Sequence, residues 1–242
     1  MTLPRHTRQI MLPEIGGPGQ ARLAEATVTL VGAGGLGGPA AMYLASAGVG
    51  RLRLVDFDVV EDSNLQRQVQ FVEDDIGLSK VERLRARLDG MDASLRVEAV
   101  ETRLTAVNAA ELFAESDVVL DGSDSFETRF AVNAACQGMG IPLVSGAIAR
   151  WSAQVGVFGG EPCYRCFVRD IPPDAETCEA VGIVGAVAGI AGSLMALEAV
   201  KLVTGAGESL RGKLWLFDGL NGRSRTVSVA ADPECPVCGT RA

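Results

Sequence analysis

From Thr27 onward the chain alternates short apolar runs with longer segments of helical period, and this rhythm restricts the fold more than any other feature. Residues 27–31, 51–55, 95–99, 117–120 and 142–145 read as strands, with helical patterns in the gaps. Such β-α alternation implies a mostly parallel sheet with right-handed crossovers, helices on both faces, and a ligand crevice at the carboxyl ends of the strands. Past residue 150 the rhythm changes. Residues 153–158 read as a further strand, 170–176 with Pro172 and Pro173 as a loop, and 213–217 and 226–229 as a hairpin turning near 219–222. A length of 242 residues with 48% apolar content supplies a substantial core.

The balance of 30 acidic against 22 basic residues makes a generic polyanion surface, and hence nucleic acid, a poor expectation. The N-terminal segment lacks the apolar stretch of a secretory leader, so the chain reads as cytoplasmic. One uncharged run, residues 181–197, invites a membrane reading. It is Gly/Ala-rich and runs directly into Glu198 and Lys201, which suits a buried helix better than a bilayer span. Gly182, Gly185, Gly189 and Gly192 fall three or four apart, so one face of that helix is expected to approach a neighbouring backbone or subunit closely.

Two Cys-x-x-Cys pairs, Cys163/Cys166 and Cys235/Cys238, occupy turn-like contexts. Four thiolates at about 2.3 Å satisfy a soft tetrahedral metal, and two short loops provide them with little strain. Two disulfides are the competing reading. Bridging across only two intervening residues yields little chain-entropy benefit, so a four-cysteine zinc site clipping the end of the chain to its middle is expected. Cys136 falls in the apolar stripe of a helix with Val132 and Met139 and reads as a core residue.

Gly32-Ala33-Gly34-Gly35-Leu36-Gly37 follows an apolar strand and opens a helix, and Asp56 closes the next strand. Glycines permit the tight turn and bring phosphates to backbone N–H groups, while an acid at the second strand end accepts ribose hydroxyls. Taken alone, this motif says nucleotide, with NAD or FAD the usual occupant. The following stretch, Asp58 through Ser63, Asn64, Leu65, Gln66 and Arg67, with Lys80 beyond it, instead suits a triphosphate and its metal. A solvated loop with an ordinary helix-face lysine explains that charge pattern equally well.

In order and spacing, the glycine turn, Asp56-Phe57-Asp58, Ser63-Asn64-Leu65-Gln66-Arg67, Lys80, Asp121-Gly122-Ser123-Asp124 and the two cysteine pairs resemble the MoeB/ThiF family, adenylyltransferases related to ubiquitin-activating enzymes. The resemblance extends from Arg8 to Gly239. It implies a Rossmann-like α/β fold with a C-terminal strand extension. The organisation would be an N-terminal arm over 1–26, a nucleotide-binding unit over 27–150, and a carrier-binding, zinc-bearing part over 151–242. It also implies ATP-dependent adenylylation of the C-terminal Gly-Gly carboxylate of a ubiquitin-like sulfur carrier, serving molybdopterin or thiamine biosynthesis. Sulfur would come from a separate donor such as a cysteine desulfurase or a rhodanese.

Carried over by position, Asp56 holds the ribose, Gly35 the nucleotide turn, Asn64, Arg67 and Lys80 the phosphates, and Asp124 magnesium. Arg8 matches an arginine that reaches the triphosphate of a partner subunit, which implies a homodimer. Cys178 matches a cysteine that joins the carrier through sulfur in some members and is dispensable in others. Ser125 departs from the family's usual asparagine, so a polar contact near the nucleotide is altered. Three rivals remain open on sequence grounds: an NAD-dependent oxidoreductase with structural zinc, a tRNA-modifying dehydratase of the same superfamily, and a binding module without chemistry. His6, the only histidine, lies in the N-terminal segment, and adenylation of an ionised carboxylate needs no histidine base.

Overall fold

The computed structural model describes residues 5–171 and 182–239. Two N-terminal helices, α1 (Thr7–Ile10) and α2 (Gly16–Glu25), lead into β1 (Thr27–Val31), α3 (Gly37–Ala47) and β2 (Arg51–Asp56). A segment with short 3-10 turns at Asp62–Asn64 and Glu73–Asp75 precedes α4 (Lys80–Asp89), β3 (Arg96–Glu101), α5 (Ala109–Leu112), β4 (Val118–Asp121) and α6 (Phe126–Met139). The second half contributes β5 (Leu143–Ala149), β6 (Ser152–Phe158), α7 (Tyr164–Phe167), α8 (Gly185–Thr204), β7 (Lys213–Asp218) and β8 (Arg223–Ser228).

All eight strands form one sheet in the order β3-β2-β1-β4-β5-β6-β7-β8. The pairings from β3 to β5 are parallel and those from β5 to β8 antiparallel. Side chains alternate between the two faces, and each face has its own core. Val28, Leu30, Leu52, Leu54, Val118 and Leu120 pack with α3, α4 and α8 on one side. Val31, Val55, Val119 and Leu143 pack with Phe113, Val132, Cys136 and Tyr164 on the other. Burying one such Leu or Val contributes about 1.5–3 kcal/mol, so both faces are strongly committed.

Every expected strand is present, and the differences lie at the ends. β5 runs to Ala149 rather than 145 because β6 pairs with it through Ala149 and Ser152. The last strand begins at Arg223, where it pairs with Asp218, so the hairpin closes directly on its turn and its second arm starts earlier than the apolar pattern indicated. Most of the loop expected over 170–176 falls outside the described residues.

From Gly185 the apolar run forms a helix that lays one face on the core and leaves Ile190 and Leu197 exposed on the other. Among the described residues α8 alone has the length and composition of a membrane span, yet it packs against α2, α3, β5 and β6. Its Glu198 is 1% exposed and accepts the backbone N–H of Leu210 at 2.7 Å. The four-glycine expectation holds at two positions. A Cβ on Gly185 would lie 2.4 Å from the Gln66 carbonyl, and one on Gly192 would lie 2.5 Å from that of Leu36. Gly182 precedes the helix, and among the described residues of this chain neither it nor Gly189 has an atom within 4 Å of the Cβ position.

Candidate active site

Strand order reverses between β1 and β4, because successive crossovers leave this pair in opposite directions, and a crevice opens beyond their carboxyl ends. Gly32 follows β1 with φ of +89°, and a Cβ there would meet the backbone of Gly122, just past β4, at 3.1 Å. A Cβ on Gly37 would lie 1.8 Å from the Gly32 carbonyl. No other residue type permits so sharp a passage into α3. The turn presents backbone N–H groups at a helix N-terminus, a ready site for anionic oxygens.

A cavity of about 480 Å³ fills the crevice. Of the residues expected from sequence, Gly32, Gly34, Gly35, Asp56, Asp58, Asn64, Arg67, Lys80, Asp124 and Ser125 line it. Gly37, Ser63, Leu65 and Gln66 do not: Gly37 shapes the turn, Leu65 packs against the core, and Ser63 and Gln66 are exposed. Arg8 is exposed on α1 and does not line the cavity of its own chain. Cys178 lies outside the described residues.

Asp56 braces the glycine turn as well as facing the cavity. Its Oδ2 accepts the Ala33 N–H at 2.7 Å and its Oδ1 that of Asp58 at 2.9 Å. Burial holds its pKa above the ordinary 3.8, although those two N–H groups and Lys80 pull it down. Lys80 is 7% exposed and occupies the first position of α4, the end where the helix dipole disfavours a cation. Its Nζ is held by Asp58 Oδ2 at 2.9 Å. A buried ammonium with one carboxylate partner at the cavity wall is suited to a polyanionic ligand. Arg67 donates from Nη1 to the Ser63 carbonyl at 2.8 Å, and Asn64 Oδ1 accepts the Glu61 N–H at 3.3 Å, so both cap the turn that presents them. Phe57, Leu104, Val31 and Val55 give the cavity an apolar wall, with the Arg103 guanidinium 3.6 Å from the centre of the Phe57 ring.

Asp124 follows β4 on the turn into α6. It is exposed, lines the cavity, and has no hydrogen-bond or ion-pair partner among the described residues, which leaves both oxygens available to a hard cation. Ser125 is committed elsewhere: its Oγ accepts the Thr128 N–H at 3.1 Å as the N-cap of α6.

Two residues that line the cavity, Gln68 and Arg129, and two beside it, Gln70 and Asp121, received no role of their own from the sequence. Gln68 is 4% exposed with an unpaired Oε1, and Gln70 donates to the carbonyls of Ala33 at 2.8 Å and Gly34 at 3.1 Å, holding the glycine turn from behind. Arg129 and Asp121 are buried together, and burial raises the Asp121 carboxyl against the pull of Arg129 and Ser123. No local pattern marks Gln68 and Gln70, which lie in a turn closed by the Phe71 N–H on the Gln68 carbonyl at 3.0 Å; Arg129 reads as any helix-surface arginine.

Apart from this cavity, the sulfurs of Cys163, Cys166, Cys235 and Cys238 lie within 4.8 Å of one another and form a cluster able to hold a metal ion. Cys163 and Cys235 are 3.6 Å apart and Cys166 and Cys238 3.4 Å, too far for disulfides and close to the roughly 3.8 Å edge of a tetrahedron with 2.3 Å metal–sulfur bonds. Asn133 Nδ2 donates to Cys163 Sγ at 3.6 Å, and the Asp232 N–H donates to Cys166 Sγ at 3.4 Å. Burial raises the thiols of Cys163 and Cys238, whereas at Cys235 the N–H groups of Cys238 and Val237, with the neighbouring sulfurs, outweigh burial and bring it to about 7. Such donors favour thiolates, the form a metal binds.

The sequence matches the model of the ThiF family over residues 6–237. The chain belongs to the ThiF family. It is 46% identical to a sulfur carrier protein adenylyltransferase of Thermus thermophilus, over 98% of this chain and 91% of that protein. It is 44% identical to the SAMP-activating enzyme E1 of Haloferax volcanii, over 98% of this chain and 89% of the relative. Among solved structures, the E. coli MccB crystal structure superposes with a TM-score of 0.86 at 23% identity, covering 99% of this chain and 75% of that one, a likeness of fold.

Proposed function

We propose that this ThiF-family enzyme adenylylates the C-terminal Gly-Gly carboxylate of a small ubiquitin-like sulfur carrier, using ATP. One observation carries the reading: a single cavity gathers the glycine turn, Asp56, Arg67, Lys80 and Asp124 in a chain whose family match spans residues 6–237. The relatives reported above carry neither an oxidoreductase nor a dehydratase name.

In the reaction a carboxylate oxygen of the carrier attacks the α-phosphorus, the bond to the bridging oxygen breaks, and pyrophosphate leaves with its electron pair. Two anions must approach, and the leaving group carries further charge, so preorganised cations lower the barrier. Lys80 and Arg67 supply that charge, the glycine-turn N–H groups orient the phosphates, and Asp56 accepts a ribose hydroxyl. Asp124 would hold magnesium, which neutralises charge on the triphosphate. The four-cysteine cluster is assigned to structural zinc.

A second cavity of about 740 Å³ lies over β5 to β8 and shares Ile148 with the first. Its wall includes Leu216, Phe217, Arg223 and Arg225, a half-apolar, basic surface suited to the body of a carrier whose tail reaches the nucleotide. The enzyme is assigned to the cytoplasm as a homodimer, with Arg8 acting on the partner's nucleotide. In support of this, Gln9 fastens the arm to the Ala47 carbonyl at 2.9 Å, while Ile10, Met11, Leu12 and Tyr43 leave apolar surface exposed nearby. A cysteine desulfurase or rhodanese would supply sulfur afterwards.

Carrier-dependent ATP–pyrophosphate exchange tests the reading. Asp124→Ala is expected to abolish exchange with the fold intact; near-normal exchange removes Asp124 from the chemistry. Mixing inactive Arg8→Ala and Asp124→Ala chains is expected to restore roughly a quarter of wild-type activity, because half of randomly assembled dimers then contain one unaltered site. No recovery, with mixed dimers demonstrated, overturns the shared site.

A further inference from the structure

Asp124 has no side-chain partner among the described residues, so the main chain that carries it sets where its carboxylate can reach. That main chain is cross-braced from beneath. Arg129, 6% exposed on α6, donates from Nη2 to the Ser123 carbonyl and to the Gly146 carbonyl at 2.8 Å, and its Nη1 reaches Ser145 Oγ at 3.4 Å. One planar guanidinium therefore joins the Asp124 turn to β5. A second brace comes from Asp121, whose Oδ1 accepts both the N–H of Ser123 at 2.9 Å and its hydroxyl at 2.6 Å.

A fork of this kind exceeds what charge balance requires. Neutralising the buried Asp121 needs one positive charge, which a lysine also provides. Holding the carbonyls of Ser123 and Gly146 from Nη2 while Nη1 reaches the Ser145 hydroxyl takes two nitrogens in one rigid plane, which a guanidinium has and an ammonium lacks. The cavity-facing carboxylate follows directly on the residue whose carbonyl the fork holds, so the rigidity of the second is transmitted to the first.

We infer that Arg129 is a positioning residue for adenylylation: by bolting the turn after β4 to β5, it fixes the Asp124 carboxylate where a nucleotide-bound divalent cation must meet it. The inference rests on the function proposed above and specifies how its metal-holding carboxylate is kept in register. Groups that orient metal ligands in this manner typically account for about 10- to 100-fold in affinity or activity.

The test uses the full-length protein with Mn²⁺ as probe, titrated by electron paramagnetic resonance in the presence of a non-hydrolysable ATP analogue. Arg129→Lys retains the charge and loses the fork. It is expected to weaken Mn²⁺ binding about 10-fold and to raise the magnesium requirement for pyrophosphate exchange in parallel. The same substitution placed on Asp124→Ala is expected to have no further effect on Mn²⁺. Unchanged Mn²⁺ affinity in folded Arg129→Lys overturns the inference, as does a further loss in the Asp124→Ala background. Should Arg129→Lys fail to fold, Arg129→Gln, which keeps an amide donor but loses the fork, takes its place; about a 10-fold loss is expected, and wild-type affinity overturns the inference. A wild-type protein that binds Mn²⁺ with nucleotide yet forms no acyl-adenylate sinks the proposed function and leaves the Arg129 result standing.

Discussion

At the scale of single residues, some side chains legible in the sequence carry two duties. Asp56 faces the cavity and also ties the glycine turn to β2 through the Ala33 N–H; desolvation of its half-buried carboxylate raises its pKa above 3.8, although that N–H pulls the other way. A group shifted in this direction contributes stability that is fully present below 3.8 and is lost as pH rises through the raised value. Asp56→Asn removes that dependence. Urea midpoints measured from about pH 3.5 to about pH 6 should therefore move in the variant's favour, relative to wild type, as pH rises. Parallel curves for the two proteins sink the assignment. The tasks of Gln68, Gln70, Asp121 and Arg129 were not legible, because they come from burial, and burial of a polar side chain depends on neighbours far away in sequence.

At the scale of elements, α8 shows how identical residues acquire opposite meanings. The glycine spacing indicated a closely packed face, and the register of α8 on α3 decided which glycines belong to it. Gly192→Ala must push the new methyl against the Leu36 carbonyl, only 2.5 Å away, at the entrance to α3. A loss of about 1–3 kcal/mol in denaturant unfolding is expected. Gly189→Ala meets nothing within 4 Å among the described residues and is expected to gain up to about 1 kcal/mol from helix propensity. Equal effects at the two positions would contradict the packing described. The strands were legible from alternating apolar residues, but their ends were not, since the length of β5 follows from its partner β6.

At the scale of the whole molecule, the cysteine cluster joins the chain on either side of α8, β7 and β8. One zinc per chain is expected by elemental analysis of protein purified without added metal. Stripping it with a chelator is expected to free the four cluster thiols and lower the melting temperature by about 5 °C or more, the equivalent of a few kcal/mol in a chain of this size. Metal-free protein with all six cysteines titratable would exclude the site. The cluster also touches α6 through Asn133, which accepts the Tyr164 N–H at 2.8 Å and donates to Cys163, so the element carrying Arg129 is anchored near both sites.

The sequence by itself determined the sheet class, the nucleotide turn and the sulfur cluster, because each follows from short-range rules. Alternation fixes strands, a missing Cβ permits the passage from β1 into α3, and two paired loops suffice to surround a metal. The tertiary structure decided which strand ends meet across the crevice, which glycines touch, and which charged side chains lie beneath the site. Those outcomes depend on contacts between residues distant in the chain, where burial and a shared neighbour give an ordinary arginine or glutamine a task that its local sequence does not encode.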